Sequence, residues 1–392
     1  MIKLAVVGGS RGQAFNSALQ MLKEDVELAC ICDLSEDRLL EWKSNFPDVQ
    51  GFTDFNQLLA HGDFDAVFIA TPVKWHAQQS LAALRAGKHV LSEVFAMETI
   101  DEGWELIEAV ESSGKVYMMA ENYCYRRENM MVLNMVERGL FGEITYAEGS
   151  YVHDCRSLRV DRNGQLTWRG EFSRDFRGNG YPTHSLGPVA KWLGIHERDK
   201  MIQTATFVSK QASLRHYVQE RFGQDHAAVQ TGFWSSGDSA TTVIETASGA
   251  LIVLRFDADS ARPHNMNGYS LQGSKAAYLS GRHDAEEPLL WMEGKSAVDQ
   301  DGIATEWDPM SKFIDEYEHP KWAEFLEEAQ QTGHGGGDFF VLKDFIDAIK
   351  NKVPPYIDVY DAVAWSSIVP LSAESVQKGG IPIPIPDFKK GR

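Results

Sequence analysis

The stretch Ile2-Lys3-Leu4-Ala5-Val6-Val7-Gly8-Gly9-Ser10-Arg11-Gly12, at the head of the chain, decides the fold. Residues 4–7 are a short apolar run. Glycines follow at once, and an amphipathic stretch then carries Phe15, Ala18, Leu19 and Leu22. That succession reads as strand, glycine turn and helix. Glycines there let the backbone turn tightly and approach a pyrophosphate, to which a helix start offers free N–H groups. A second strand over residues 26–31 ends at Cys32-Asp33. A carboxylate in that place accepts from a ribose 2′-hydroxyl and repels a 2′-phosphate, so Asp33 favours NAD over NADP.

The alternation continues outward. Residues 65–70 form a strand closed by Thr71-Pro72, residues 75–86 a helix, and residues 89–91 another strand. Thr99-Ile100-Asp101-Glu102 has the form of a capping box, opening a helix with Trp104, Ile107 and Val110 on one face. A strand over residues 116–120 ends at Glu121-Asn122. Strands alternating with helices imply a parallel, doubly wound sheet, an α/β Rossmann domain over residues 1–122. The glycine motif lacks strict G-x-G-x-x-G spacing, so dinucleotide binding rests on the combination of position, Asp33 and the repeated pattern. Gly8-Gly9-Ser10-Arg11-Gly12 also fits the G-x-S-x-G of a hydrolase nucleophile elbow, and His334-Gly335-Gly336-Gly337 resembles an oxyanion loop. That loop should precede the serine, and an elbow should not follow the first strand, so the order argues against this reading.

After Asn122 the pattern changes. A helix over residues 128–138 precedes longer strands over 143–152, 201–208, 241–245 and 251–256, with Ala247-Ser248-Gly249 as a hairpin turn. Residues 268–280 add a further strand, and residues 339–350 and 361–377 read as helices. This describes an α+β domain over residues 123–392 with an open, mostly antiparallel sheet. Ile381-Pro382-Ile383-Pro384-Ile385-Pro386 lacks alternate N–H groups, so neither a helix nor a central strand is expected there, only an extended tail on the surface or on a partner.

Length and composition agree with two domains of a soluble globular protein: 392 residues, 43% hydrophobic and 24% charged. A formal net charge of −18 disfavours nucleic acid and anionic membrane as partners. No apolar run approaches a membrane span, and the first residues read as a strand, not a signal peptide, so a cytoplasmic location is expected. Cys30, Cys32, Cys124 and Cys155 suit a reducing compartment, and their spacing supports neither a zinc site nor a disulfide framework.

The layout resembles the Gfo/Idh/MocA oxidoreductases, with Gly87-Lys88-His89-Val90 leading to Glu93 as a characteristic segment. Members usually carry Glu-Lys-Pro where this chain has Glu93-Val94-Phe95, and an aspartate four residues before a catalytic histidine where this chain has Gly180 before His184. These departures resemble one branch, the NAD-dependent glycosidases of glycoside hydrolase family 109. The resemblance extends to Glu121-Asn122-Tyr123-Cys124-Tyr125, Phe141-Gly142-Glu143-Ile144, Ala147-Glu148-Gly149 with His153-Asp154, and Tyr181-Pro182-Thr183-His184-Ser185-Leu186-Gly187-Pro188. Residues 333–339 and Asp358-Val359-Tyr360-Asp361 with Trp365-Ser366-Ser367 continue it.

The resemblance implies cofactor contacts at Ser10, Arg11, Gly12, Asp33, the Val73-Lys74-Trp75-His76 segment, Glu93, Val94 and Asn122; Gly8 and Gly9 of the glycine turn and Thr71 at the end of its strand are expected beside them. It implies sugar contacts at Tyr151, Arg169, Tyr181 and His184, and a further tyrosine between Arg262 and Tyr269 that the local sequence does not place. The activity implied is glycoside hydrolysis by transient oxidation at C3, elimination at C1, water addition and re-reduction, with α-N-acetylgalactosaminides as the branch's substrates. Such chemistry needs proton-transfer groups. His184 is the first candidate, because histidine is the residue type suited to proton transfer near neutrality, with Tyr181 and Tyr151 as partners. Arg169 offers a forked donor to a hydroxyl or an anionic substituent. Arg156, Arg159, Arg162 and Arg174 close by leave room for an acidic or sulfonated sugar.

Plainer readings stand beside these. His184 could cap a helix, Tyr151 could be packing, Arg169 could belong to a surface charge cluster, and His76 and His334 could be structural. His153-Asp154 suggests a metal pair, but no further ligand is evident at a usual spacing, so no metal is expected. Two alternative functions remain open, a sugar dehydrogenase with net oxidation and a non-catalytic NAD-binding sensor. The open sheet predicts a homo-oligomer, a dimer or a tetramer.

Overall fold

The structure is a computed structural model that describes residues 1–263, 265–283 and 285–389, with residues 265–267 described by their backbone alone. The chain divides into two compact units, Met1–Asn129 with His319–Ser367, and Met130–Glu318 with Ile368–Arg392. The chain comes back to its first unit over His319–Ser367. The helix Gly337–Asn351 explains this, since Phe339, Phe340, Val341, Leu342, Phe345 and Ile346 are all buried. Its Phe340 ring stacks on Tyr125 of the same unit.

In the first unit, β1 (Ile2–Val7), β2 (Val26–Cys32), β3 (Gln50–Phe52), β4 (Ala66–Ile69), β5 (His89–Ser92) and β6 (Tyr117–Met119) form a parallel sheet in the order β3-β2-β1-β4-β5-β6. The strand order reverses between β1 and β4, and that switch opens a crevice at the carboxyl ends of these strands. The expected capping box is present. Thr99 Oγ1 accepts from the Glu102 N–H at 3.2 Å, and the Glu102 carboxylate accepts from the Thr99 N–H at 3.0 Å.

The second unit holds β7 (Ile144–Val152), β8 (Met201–Val208), β9 (Ala240–Thr246), β10 (Leu251–Asp257), β11 (Asn265–Gly273), β12 (Ala276–Leu279), β13 (Leu289–Met292), β14 (Asp308–Pro309) and β15 (Ile383–Pro384). They make one sheet in the order β14-β13-β12-β11-β7-β10-β9-β8-β15, parallel between β7 and β10 and antiparallel at its other described pairings. The helix Thr183–Leu193 packs on this sheet at Gly149 of β7, where a Cβ would stand 2.0 Å from the Ser185 carbonyl oxygen. Glycine is thus required for close approach of helix and strand.

Three expectations need correction. Residues 268–280 are a hairpin of β11 and β12, not one strand. Residues 361–377 are two helices, Val359–Ser366 and Ile368–Gln377, because Pro370 has no N–H for the Ser366 carbonyl and so belongs to the first turn of a new helix. The Ile-Pro tail is an edge strand on β8. Ile385 donates its N–H to the Ile202 carbonyl at 2.9 Å, Ile383 and Ile385 are buried, and the alternating prolines occupy positions that need no donor.

One histidine of the returning segment ties stability to pH. His319 Nδ1 accepts from the Lys321 N–H at 3.1 Å and caps the helix Pro320–Glu324, which requires the neutral ring. Burial, then the Lys321 ammonium, push its pKa down to about 4. The unfolded chain, with an ordinary histidine near 6.5, binds more protons between these values. The contribution is therefore full above about pH 6.5 and lost as pH falls toward 4. His319→Asn keeps a cap acceptor but does not titrate. Its melting temperature should fall less than that of the parent between pH 7 and pH 5; an equal fall would contradict the assignment.

Candidate active site

The first unit supplies a cleft of about 570 Å³ at the carboxyl ends of β1, β2 and β4, lined by Gly8, Asp33, Leu34, Asp54, Phe55 and Trp75 among others. That volume lies in the range of small-molecule and cofactor sites. Gly8 adopts φ 93°, and a Cβ there would stand 2.4 Å from the Ala70 carbonyl oxygen, so only glycine fits. Gly9 donates its N–H to Asp33 Oδ2 at 2.8 Å, and Ser35 donates to Asp33 Oδ1 at 2.9 Å. These two bonds aim the carboxylate at the end of β2 beside the glycine turn. The Gly12 backbone lies against β1, since a Cβ would meet Val6 Cγ1 at 2.6 Å. The helix expected after the glycines is interrupted: Gly9–Gly12 and Asn16–Met21 are joined by a 3₁₀ turn, Gln13–Phe15. Ser10 is exposed.

Further along the strand ends, Arg11 Nε donates to Glu93 Oε1 at 2.6 Å, and the Val94 N–H donates to Glu93 Oε2 at 3.2 Å. Glu93 and Val94 are both buried, and Val94 puts an apolar side chain directly after the carboxylate. Thr71 Oγ1 donates to the Gln79 side-chain oxygen at 2.7 Å. Trp75 is partly exposed on the cleft. His76 is buried and places Nδ1 2.8 Å from the Phe95 carbonyl oxygen and Nε2 2.8 Å from the Thr71 carbonyl oxygen. Both ring nitrogens are engaged by backbone, so His76 braces the two segments that follow β4 and β5. Burial lowers its pKa, against the opposing effect of those carbonyls. Asn122 is fully buried and donates Nδ2 to Asp338 Oδ1 at 2.8 Å. The glycine cradle, the aimed carboxylate and the partly apolar cleft are features that suit a dinucleotide.

The second unit gathers the residues expected to meet a sugar. Tyr151 stands near the end of β7, Tyr181 in the loop just before the helix Thr183–Leu193, and His184 in that helix's first turn. Ring centroids lie 5.1 Å apart for Tyr151–Tyr181, 5.4 Å for Tyr151–His184 and 5.0 Å for Tyr181–His184. The Tyr269 hydroxyl donates to the His184 carbonyl. Asn179, fully buried, holds the preceding loop: its N–H donates to Ser372 Oγ at 2.8 Å and its Nδ2 to Thr242 Oγ1 at 3.2 Å. Gly180 faces Phe172, Phe176 and Phe256, with a Cβ 3.0 Å from the Phe172 ring. An aspartate there would be buried against aromatic carbons, a costly place for a carboxylate.

Arg169, from the helix Trp168–Asp175, lies over the Trp168 ring at 4.2 Å. Burial draws its guanidinium below the usual arginine range, partly offset by the Tyr181 phenol. The other arginines differ. Arg156 is held by both Asp154 oxygens at 2.8 Å, Arg159 by the buried Asp259 at 2.9 Å, and Arg174 by both oxygens of Asp175. Three of the five arginines that suggested an anionic sugar are thus neutralised by neighbouring carboxylates, and Arg169 is the one associated with the ring cluster. Asp154 serves Arg156, and among the described residues no group of three or more histidine, cysteine or acidic side chains is placed to hold a metal. In the segment from Arg262 to Tyr269, where the resemblance implies a further tyrosine, His264 and the side chains of 265–267 lie outside the described residues.

Sequence reasoning missed Asp338 and Asn179. Both are buried polar residues whose importance lies in partners distant in sequence, and no local pattern carries that signal.

Known proteins bear on both units. The family model described as "Oxidoreductase family, NAD-binding Rossmann fold" matches residues 2–121, and that described as "Glycosyl hydrolase 109, C-terminal domain" matches residues 125–392. The whole chain is 33% identical to a glycosyl hydrolase family 109 protein of Stenotrophomonas maltophilia (strain K279a), covering 89% of it. It is 32% identical, again over its whole length, to an alpha-N-acetylgalactosaminidase of Tannerella forsythia, covering 87% of that protein. Among solved structures, a levoglucosan dehydrogenase in complex with NADH and L-sorbose superposes with a TM-score of 0.77 at 20% identity, over 99% of this chain and 100% of that one, a likeness of fold.

Proposed function

The chain belongs to glycoside hydrolase family 109, with an NAD-binding Rossmann domain, and from that premise we propose that it hydrolyses α-N-acetylgalactosaminides by transient oxidation of the sugar. The observation that carries this reading is the convergence of Tyr151, Tyr181 and His184, with ring centroids 5.0–5.4 Å apart, beside the half-buried guanidinium of Arg169.

Gly8, Gly9, Ser10, Arg11, Gly12, Asp33, Thr71, Trp75, Glu93, Val94 and Asn122 would hold the dinucleotide, with His76 bracing the Thr71 and Phe95 segments. Bound NAD supplies a reversible two-electron oxidation of a sugar hydroxyl-bearing carbon. The residues of the chain do the rest. A proton next to a carbonyl is acidic; His184 takes the one at C2, exchanges it with water, and delivers a solvent-derived proton back to C2. Tyr181 and Tyr151 orient the hydroxyls and carry a proton to the departing oxygen. Arg169 holds an acyl or hydroxyl oxygen of the sugar in a forked hydrogen bond. Its neutralised neighbours favour a neutral sugar over an anionic one.

The reading is tested on a panel of aryl glycosides, with and without added NAD⁺. Release of aglycone from the α-N-acetylgalactosaminide, with reduced cofactor not accumulating, supports it. Steady formation of NADH without aglycone release would make the protein a dehydrogenase instead.

Cofactor choice follows from charge. Asp33 and Asp54 both line the cleft, and burial together with these two carboxylates pushes the Cys32 thiol up to about 12. Asp33→Ser should weaken NAD⁺ binding by about tenfold, the scale of a lost charged hydrogen bond. NADP⁺ should still bind poorly, because Asp54 continues to repel a 2′-phosphate. Calorimetric titration with both dinucleotides checks this, and tight NADP⁺ binding by the single variant would contradict it.

A cytoplasmic homo-oligomer completes the reading. Ile202, Phe207, Leu251 and Leu279 are large apolar residues left exposed on the nine-stranded sheet, and the four cysteines are buried and form no disulfide. Among the described residues no helix is long and apolar enough to cross a membrane.

A further inference from the structure

The loop before the helix Gly337–Asn351 is built at a cost. His334 is a non-glycine residue at φ 52°, and Gly335 and Gly336 follow at φ 64° and 92°. A Cβ at Gly336 would stand 2.5 Å from the Trp322 ring, and one at Gly337 2.4 Å from the Asn122 carbonyl oxygen. Strain of this kind persists where the surroundings over-determine it, and it concentrates at functional sites. Its effect here is to fold His334 back over Asp338, with Nδ1 2.9 Å from Oδ2. A Cβ at Gly333 would stand 2.5 Å from that same oxygen. Asp338 is fully buried, and its other oxygen accepts from Asn122 Nδ2 at 2.8 Å.

A carboxylate is an acceptor alone, so it fixes the Asn122 amide in one sense: Nδ2 toward Asp338, Oδ1 away. Asn122 Oδ1 is buried and has no hydrogen-bond partner among the described residues. A buried acceptor without a donor is costly and is kept where something else supplies the donor.

We propose that Asp338, steadied by His334, is a positioning residue that locks the Asn122 amide so that its oxygen is offered to an N–H or O–H donor of the bound dinucleotide. The inference rests on the reading of Asn122 as a cofactor contact. It goes beyond that reading by assigning a role to the strained glycine loop and to a carboxylate that itself need not touch the cofactor.

The test measures NAD⁺ affinity by calorimetry and cofactor occupancy as isolated, alongside melting temperature. Asn122→Ala should weaken NAD⁺ binding by about tenfold, and Asp338→Ala by a similar factor, since a freed amide no longer presents its oxygen. The exchange Asn122→Asp with Asp338→Asn restores every partner: the new amide donates to the new carboxylate and accepts from His334, and one carboxylate oxygen still faces outward. It should recover affinity to within about threefold. His334→Ala, at a partly exposed position, should weaken binding about threefold and covers the case in which Asp338→Ala does not fold. Unchanged affinity in Asn122→Ala would remove the contact itself. Weakened binding in Asn122→Ala with unchanged affinity in Asp338→Ala and His334→Ala, whatever their melting temperatures, would overturn the positioning role alone. Failure of a folded exchange variant to recover affinity would do the same.

Discussion

Replacing His184 with asparagine is expected to lower glycoside turnover by about 10²–10⁴-fold, the range ascribed to general acid–base groups, while NAD⁺ affinity stays within about twofold. The separation of these two effects is the point. His184 is placed by the second unit, where its ring meets Tyr151 at 5.4 Å and Tyr181 at 5.0 Å between centroids, while the glycine turn and Asp33 belong to the first. The His184 backbone carbonyl, which holds Tyr269, is unaffected by the change. Melting temperature should therefore move little. Steady-state kinetics on an aryl glycoside and calorimetry with NAD⁺ read the two effects separately. Turnover within tenfold of the parent would remove His184 from the proton-transfer role. Tyr181→Phe should cost less, because it removes one hydroxyl and leaves the ring in place.

A second large effect is expected far from any reacting atom. Gly149→Ala places a methyl group 2.0 Å from the Ser185 carbonyl oxygen, a distance no real contact allows. The helix Thr183–Leu193 must move off β7, and His184 lies one residue before that contact. Overpacking of this kind costs about 1–3 kcal/mol. A misplacement of about 1 Å at the reacting group costs on the order of 10²-fold in rate. Gly249→Ala is the control. Gly249 has φ 89° in the hairpin between β9 and β10, with nothing within 4 Å of an added Cβ. It should lose about 1 kcal/mol of stability through backbone conformation alone, with no change in rate. Thermal unfolding and kcat/KM distinguish the two. Equal activity of both variants would mean that the helix register does not position His184.

Much of this was legible in the sequence because it is local. The strand 201–208 and the Thr99 capping box depend on neighbouring residues, and the observed elements agree. The glycine turn was legible for the same reason, although the helix after it breaks at Gln13–Phe15. Long-range features were not. The return of His319–Ser367 to the first unit depends on which apolar face finds which core, and periodicity does not choose between cores. The edge strand at Ile383–Pro384 needed the knowledge that β8 had an open side. At the candidate site, residue types marked Tyr151, Tyr181 and His184, but the pairing of Arg156, Arg159 and Arg174 with aspartates could not be read from charge along the chain. An arginine-rich segment looked basic in sequence and is largely neutralised in space.

Hydrolysis of an aryl α-N-acetylgalactosaminide by the protein as isolated, run in deuterated water and followed by mass spectrometry and NMR of the sugar, tests the central claim most directly. Removal and return of the C2 proton predicts one deuterium at C2 of the released sugar, with no net gain of reduced cofactor. Released sugar without deuterium at C2 would contradict the account and return the reaction to a direct displacement at C1.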